Sequence, residues 1–468
     1  MKIRLGLGAC KMSELALYCG GELVGNINTE FEYVCTDSRE ADEKTLFIAT
    51  RGERVDGHNY IGAAQRLGCI CFLCERVPEG VALDGSTFCV AENSLDGFSH
   101  LARGYRESAP LDCVAITGSV GKTTTKELTA RVMSEGYNLY STEGNFNSVI
   151  GMPMSMLEVG PECEAAVFEM GMSGFGEISQ MSLTARPRVA MITNIGTSHL
   201  EYLKTRENIA RAKYEISEGL RDGGVLILNG DEPLLRELAN KDTTDRYSIL
   251  YASMNGDGDF SAENVRFTEQ GSVFDVKHEG GVIKDIYVSA IGSHIVFDAL
   301  FAAAAGLTFG LTPEQIKAGL SKYVPGAFRQ KIYDKNGVKV IADCYNASPE
   351  SMRSALGVLT CLEGKRKIAV LGDMRELGES AHQLHVQIGQ AVAENKIDVL
   401  VALGELGGKI AKGALACGMD SASVFCETDT AYAETVKYLG ETLREGDVVL
   451  FKASRAMRLE SIIEGLSL

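Results

Sequence analysis

The amino-acid sequence predicts an α/β protein of three domains, with a central P-loop-type ATPase domain on a mostly parallel sheet and a Rossmann-like C-terminal domain. Three observations carry that expectation. A length of 468 residues suggests about three domains at roughly 150 residues each. Strand-length apolar runs recur between helical segments, as buried parallel strands require. A Gly-rich turn, "TGSVGKTTT", joins one such run to a helix.

The N-terminal "MKIRLGLGACKMSELALYCGG" reads as a strand leading into a helix rather than a signal peptide, because Glu14 interrupts the apolar stretch and no clear cleavage site follows. "GHNYIGAAQRLGC" reads as a helix and "CICFLCERV" as a strand. The polar stop "ESAP" closes a first domain at residues 1–109. A second domain, 110–322, opens with strand "DCVAIT", the Gly-rich turn, helix "TTTKELTARVMSEG" and strand "NLYST". Strands "AAVFEM", "RVAMITNI" and "GGVLILNG" follow, with the helix "ENIARAKYEISEGL". Residues 272–290 alternate like an antiparallel edge piece, and "HIVFDALFAAAAGLTFG" is an apolar helix. The linker "YVPGAF" starts a third domain, 323–468, with strands "VKVIADCY", "KIAVLGDM", "DVLVALG", "SVFCE" and "DVVLFKAS".

Composition excludes more than it identifies. A formal net charge of −17 argues against nucleic-acid binding, which needs basic faces. No apolar run is long enough to span a bilayer. Thirteen cysteines are scattered among apolar residues. Cys69, Cys71 and Cys74 lack a second Cys/His pair at zinc spacing, so they read as buried reduced thiols of a cytoplasmic protein.

The turn at 116–127, "ITGSVGKTTTKE", has Ile116 where the longer G-x-x-x-x-G-K-[ST] loop has its first Gly. The physical elements are nevertheless in order. Gly118 and Gly121 let the backbone curl with Ser119 and Val120 around phosphate oxygens, and the helix N-terminus attracts anions. Lys122 can neutralise phosphate charge, and Thr123, beside Thr124, can offer its hydroxyl to Mg²⁺. A Thr-capped helix after an ordinary Gly turn is the plainer alternative.

"TGSVGKTTT" resembles the ATP loop of the Mur ligase family. "EGNFNSVIGMP", "FEMGMS", "TNIGTSHLE", "ARAKYEI", "NGDEP", "PGAFRQK", "DCYNASPESM" and "LGDMRELG" follow in that family's order across nearly the whole chain. Within the family, "DCYNASPESM" is similar to the members that add D-Ala-D-Ala to UDP-N-acetylmuramoyl-tripeptide. The diamino-acid-adding members have an Asp-Asn-Pro-Arg segment that is absent here. The resemblance implies an ADP-forming amide ligase of peptidoglycan precursor synthesis, working through an acyl phosphate with ATP and Mg²⁺ as a monomer. Another Mur-type ligase, a P-loop kinase or NTPase, and a catalytically silent UDP-sugar binder are the rival readings.

Residue roles follow from the same resemblance. Lys122, Glu169, His199 and Lys213 are the expected catalytic set, and Thr123, Glu169, His199 and an N-carboxylated Lys213 the expected Mg²⁺ ligands. Glu169 and His199 also stand at C-terminal ends of strands, where open α/β sheets bind ligands. Solvent-facing Glu, His and Lys are the plainer alternatives. Carboxylation of Lys213 needs a neutral amine, hence a local field that lowers its pKa. Asn194 is expected to shape the nucleotide pocket or its loop, Arg329 to reach phosphate, and Asp343 the ribose or the loop. Tyr345, Asn346 and Ser348 are expected beside the incoming dipeptide. Lys452, Ser454 and Arg455 form a late basic patch. Asn145, Asn147 and Ser148 are expected at the muramoyl-peptide, and Ser38, Arg39, Arg51, Asp56 and His58 at the uridine diphosphate end. Asp298 stands where the family has an Asn near adenine; an ionised Asp only accepts hydrogen bonds, whereas Asn also donates.

Overall fold

The computed structural model describes residues 1–466 apart from 53, 54, 110, 143 and 327. Pro110, the expected start of the central domain, Glu143 and Ala327 of the quoted motifs, and the final two residues therefore lie outside the described residues.

The first sheet has six strands. Its order is Lys2–Arg4, Tyr33–Cys35, Thr45–Ile48, Cys71–Cys74, Thr87–Val90, Glu22–Val24. The four inner strands are parallel, and the two outer ones are antiparallel to their neighbours. The segment "GHNYIGAAQRLGC" is shorter in helix than its pattern predicts. A 3₁₀ turn over Gly57–Tyr60, capped by Asp56, precedes the helix Ile61–Arg66.

The central sheet has nine strands. Its order is Leu139–Ser141, Ala165–Glu169, Asp112–Thr117, Val189–Ile192, Gly224–Asn229, Tyr247–Ser253, Phe260–Thr268, Gly271–His278, Gly281–Val288. Pairing is parallel as far as Phe260–Thr268. The last two strands form the expected antiparallel edge. Runs such as Ala165–Glu169 and Val189–Ile192 are buried along their whole length, because helices cover both faces of the parallel part. Two of its strands, Tyr247–Ser253 and Phe260–Thr268, have mixed polar patterns that give no clear periodic signal. The expected long helix over 207–220 instead runs Arg206–Tyr214 and tightens to 3₁₀ at Glu215–Ser217. The helix Ser293–Thr308 is buried nearly all round, as its apolar sequence requires.

The third sheet orders Lys331–Lys335, Val338–Ala342, Val448–Lys452, Lys367–Leu371, Val399–Leu403, Val424–Glu427, with only the first strand antiparallel. A single apolar core joins the first two domains: Phe98, Leu101 and Tyr105 of the helix Ser94–Glu107 pack in one cluster with Met152, Leu157 and Met181. The third domain has separate clusters on the two faces of its own sheet. None of the thirteen cysteines is in a disulfide. Among the described residues no helix is long and apolar enough to cross a membrane.

Candidate active site

The phosphate loop links the strand Asp112–Thr117 to the helix Lys122–Met133. Its glycines are required by contact as well as by conformation. Gly121 has φ 83°, and a Cβ there would lie 2.5 Å from Asp298 Oδ1. A Cβ on Gly118 would lie 1.9 Å from Thr193 Oγ1. The strand-end segment after Val189–Ile192 braces the loop. Asn194 Oδ1 accepts from the N–H groups of Ser119 (3.0 Å) and Val120 (2.9 Å). Thr193 Oγ1 donates to Val120 O at 2.7 Å, and Gly196 N donates to Ser119 Oγ at 2.8 Å. Two loop N–H groups expected to face phosphate are thus engaged by Asn194. The first-turn N–H groups of Lys122, Thr123 and Thr124 have no acceptor within their helix, whose first such bond is Thr125 N to the Gly121 carbonyl. Lys122 Nζ folds back to Gly118 O at 2.8 Å. Burial lowers its pKa, against the opposing charge of Glu169.

Glu169 ends its strand and is 3% exposed. Thr123 Oγ1 donates to one carboxylate oxygen and Asn147 Nδ2 to the other, each at 2.8 Å. The carboxylate is therefore held by neutral donors at a helix N-terminus, with oxygens of Thr123 and Glu169 adjacent. That hard-oxygen pair fits a divalent cation such as Mg²⁺. Among the described residues no three His, Cys, Asp or Glu side chains converge as a ready metal cage.

Lys213 supplies the second observation relevant to that cation. It is 1% exposed on the helix Arg206–Tyr214, not a solvated charge. No hydrogen bond or ion pair reaches its Nζ among the described residues. Burial, and then the charge of Lys122, push its pKa well below the usual lysine range. A buried, unpaired amine whose pKa is lowered gives up its proton more readily, and the neutral form is the one that can add CO₂. His199, at φ 64°, begins the short helix Leu200–Leu203. Its Nδ1 lies 2.8 Å from Glu376 Oε2 of the third domain, which holds that carboxyl below its usual range. Ser198 lines the central cavity, whereas His199 turns to Glu376.

That cavity, of about 280 Å³, lies between the second and third domains. Ser119–Thr124, Asn145, Asn147, Glu169 and Asn194 line it from the central domain, facing Arg329, Asp343, Tyr345, Asn346, Ser348 and Lys452 of the third. The Arg329 guanidinium lies 4.0 Å from the centre of the Tyr345 ring. Lys452 Nζ donates to Asp343 Oδ2 at 2.7 Å and to Asn346 O at 3.1 Å. The late basic patch does not form as a unit. Ser454 Oγ accepts from Arg375 N, and Arg455 pairs with Glu460 at 2.7 Å. Ser348 is the N-cap of the helix Pro349–Cys361, and Ser148 Oγ accepts from Gly151 N at 3.1 Å, outside the cavity lining.

Asp298 is 6% exposed and accepts from Thr125 Oγ1 at 3.1 Å. Burial pushes its pKa well above the carboxylate range. A buried carboxyl with a raised pKa keeps its proton to higher pH than a solvated one, and while protonated it can donate as an Asn amide would. His294, one turn earlier, lines the same cavity, and burial lowers its pKa to about 4. Neither His294 nor Tyr323 drew notice in the sequence. Each is an isolated polar residue in an apolar context, and only the packing brings it to the cavity.

None of the first-domain candidates reaches this cavity. Asp37 caps the turn Ser38–Glu40 and pairs with exposed Arg39 at 2.5 Å, while Ser38 is buried. Arg51 lies 3.3 Å from Glu75, and Asp56 pairs with Arg76 at 2.9 Å. His58 commits Nδ1 to Asp56 Oδ1 (2.6 Å) and accepts from Glu75 N at Nε2 (2.8 Å). Both ring nitrogens therefore fasten this loop.

Family comparisons agree with this geometry. Models described as Mur ligase middle domain, Mur ligase glutamate ligase domain and Mur ligase family catalytic domain match residues 116–306, 329–455 and 30–94. The chain is 38% identical to the UDP-N-acetylmuramoyl-tripeptide–D-alanyl-D-alanine ligase of Bacillus subtilis, covering 92% of each chain. It is 32% identical to the Escherichia coli protein of that name, covering 97% of this chain and 98% of the other. A crystal structure of MurF from Acinetobacter baumannii superposes with a TM-score of 0.90 at 30% identity over 99% of both chains. MurF ligase from Thermotoga maritima in complex with ADP gives 0.81 at 28% identity, covering 92% and 96%.

Proposed function

We infer the activity from the premise that this chain belongs to the Mur ligase family: it is an ATP-dependent, ADP-forming ligase of peptidoglycan precursor synthesis that joins D-Ala-D-Ala to UDP-N-acetylmuramoyl-tripeptide. The observation that carries the reading is the single cavity in which the phosphate loop and Glu169 face Arg329, Asp343 and Lys452 across two domains.

The substrate carboxylate attacks the γ-phosphorus of ATP, the bond from that phosphorus to the ADP oxygen breaks, and an acyl phosphate forms. The dipeptide amine then attacks the acyl carbon, the carbon–oxygen bond to phosphate breaks, and the amine loses a proton. Positioning and charge compensation supply most of the catalysis in such transfers. The first-turn N–H groups and Lys122 take the β- and γ-phosphates, in a loop held in shape by Asn194. Arg329 approaches the phosphates from the opposite domain, and Asp343 fixes Lys452 and the turn after Arg329. Asp298, with its pKa raised by burial, and His294, neutral at pH 7, border the nucleoside. Tyr345, Asn346 and Ser348 border the dipeptide, and Asn145 and Asn147 the muramoyl-peptide. Mg²⁺, held by Thr123, Glu169, His199 and N-carboxylated Lys213, would add positive charge beside the moving phosphoryl group.

Residues 1–109 would hold the uridine diphosphate through Arg39, Arg51 and Asp56, residues 110–322 the nucleotide, and residues 323–468 the dipeptide. A cavity completed by two domains of one chain suits a monomer, and the need for ATP suits the cytoplasm. The test is ADP release with UDP-N-acetylmuramoyl-tripeptide against D-Ala-D-Ala, diamino acids and glutamate. Release with D-Ala-D-Ala alone, abolished by Lys122→Ala, is expected. Preference for a diamino acid on the shorter UDP-dipeptide, or phosphate transfer without amide formation, would overturn the assignment.

A further inference from the structure

The third domain grips the central domain at a turn whose neighbours brace the phosphate loop. Glu350, half-buried in the first turn of the helix Pro349–Cys361, reaches across the cavity edge to Thr197. Its Oε1 accepts from Thr197 N at 2.9 Å and from Thr197 Oγ1 at 3.1 Å, and Oε2 lies 3.4 Å from the same hydroxyl. A Cβ at position 196 would lie 2.7 Å from Glu350 Cδ, so Gly196 lets the carboxylate come this close without a shift. The Gly196 N–H in turn donates to Ser119 Oγ in the phosphate loop, and Asn194, two residues earlier, holds the Ser119 and Val120 N–H groups. Ser348, which caps the same helix, lines the cavity.

We propose that Glu350 is a positioning residue, a latch that ties the dipeptide-side helix of the third domain to the Gly196–Thr197 turn and so sets the closed arrangement in which amine and acyl phosphate meet. The contact differs from an ordinary surface interaction in three respects. A carboxylate accepting from both a backbone N–H and a hydroxyl makes charge-assisted bonds. Both donors lie in the central domain, so the bonds exist only when the domains are together. The turn is one hydrogen bond from the phosphate loop, so closing the latch also firms the loop. Glu350 has a second possible service, complementing the dipole of its own helix. That service needs its charge but not Thr197, which separates the two roles experimentally.

The inference rests on the ligase reading, and its test is built to fail separately from it. Wild-type enzyme that releases no ADP with both substrates present would sink that reading and leave no reaction for the latch to serve. With active wild type, Glu350→Ala is expected to lower kcat/KM for D-Ala-D-Ala about tenfold, which is ~1.4 kcal/mol. KM for ATP should stay within about threefold and the thermal midpoint should hardly move. Glu350→Gln keeps an oxygen acceptor and should recover most of the loss. Adding Thr197→Val to Glu350→Ala should cost little further, since the two act through one contact. Small-angle scattering with a non-hydrolysable ATP analogue and UDP-N-acetylmuramoyl-tripeptide should give a larger radius of gyration for Glu350→Ala than for wild type. Unchanged dipeptide kinetics in Glu350→Ala would overturn the latch. So would equal losses for ATP and dipeptide with a lowered thermal midpoint, or a Gln variant as impaired as the Ala one.

Discussion

Replacing Lys213 with Met separates stability from activity in opposite directions. The side chains are of similar length, so the packing around the helix Arg206–Tyr214 is kept while the amine is removed. In the folded chain the Lys213 pKa is depressed by burial and by Lys122. Between that depressed value and the ordinary lysine range, the unfolded chain binds a proton that the folded chain does not. Stability of the wild type therefore rises with pH through this window, and the penalty is heaviest at its acid side. An ordinary lysine pKa of ~10.4 sets the ceiling at pH 7 at about 4.6 kcal/mol. Relaxation and water entry reduce it, so Lys213→Met is expected to gain about 1–3 kcal/mol at pH 7. The gain should shrink toward pH 10. Urea unfolding in CO₂-depleted buffer at several pH values measures both. The same variant should lose at least about a hundredfold in turnover, the scale of removing one electrostatic stabiliser, and bicarbonate should raise wild-type activity without raising its own. A Met variant less stable than wild type at pH 7, by a margin that does not change with pH, would refute the argument that this amine is buried and neutral.

Two further outcomes follow from the nucleotide cavity. Gly121→Ala places a Cβ 2.5 Å from Asp298 Oδ1 at φ 83°, and left-handed backbone alone costs Ala about 1–2 kcal/mol. ADP affinity by calorimetry should fall at least about tenfold, one power of ten per ~1.4 kcal/mol. Asp298→Asn should leave KM for ATP within about threefold at pH 7, since burial raises the carboxyl's pKa and so favours a protonated form that, like Asn, both donates and accepts. Asp298→Ala removes the group that meets Thr125 Oγ1 and should raise KM by about tenfold, the loss of one buried hydrogen bond.

Local features of the site were legible because their physics is local. A strand, two glycines, Lys-Thr and a helix lie within a dozen consecutive residues, so the loop at 118–123 could be recognised from that order alone, although Asn194 and Thr193 brace its shape. Strand-end Glu169 was readable for the same reason, since a carboxylate closing an apolar run stands at the sheet's ligand-binding edge. Strands of mixed pattern, such as Tyr247–Ser253, were not readable, because their burial comes from neighbours in the sheet and leaves no period in the chain. His58 was expected at the uridine diphosphate because its segment resembles the family's. Its role as a fastener depends on Glu75 N, contributed by the next strand's end.

The amino-acid order by itself determined the α/β class, the nucleotide loop, the apolar helix Ser293–Thr308 and the family. The first three depend on backbone preference and burial over short spans, which the composition of a segment dictates directly, whereas the family was read from a resemblance of motifs in order along the chain. Tertiary structure alone decided which charges are real. The packed interior withholds water from Lys213 and Asp298, lowering the pKa of the amine and raising that of the carboxyl. It also decided which distant residues meet: Lys452 with Asp343, His199 with Glu376, Glu350 with Thr197. Those contacts cross between strands or between domains at separations above a hundred residues, where side-chain identity says nothing until sheet order and domain packing have placed the partners.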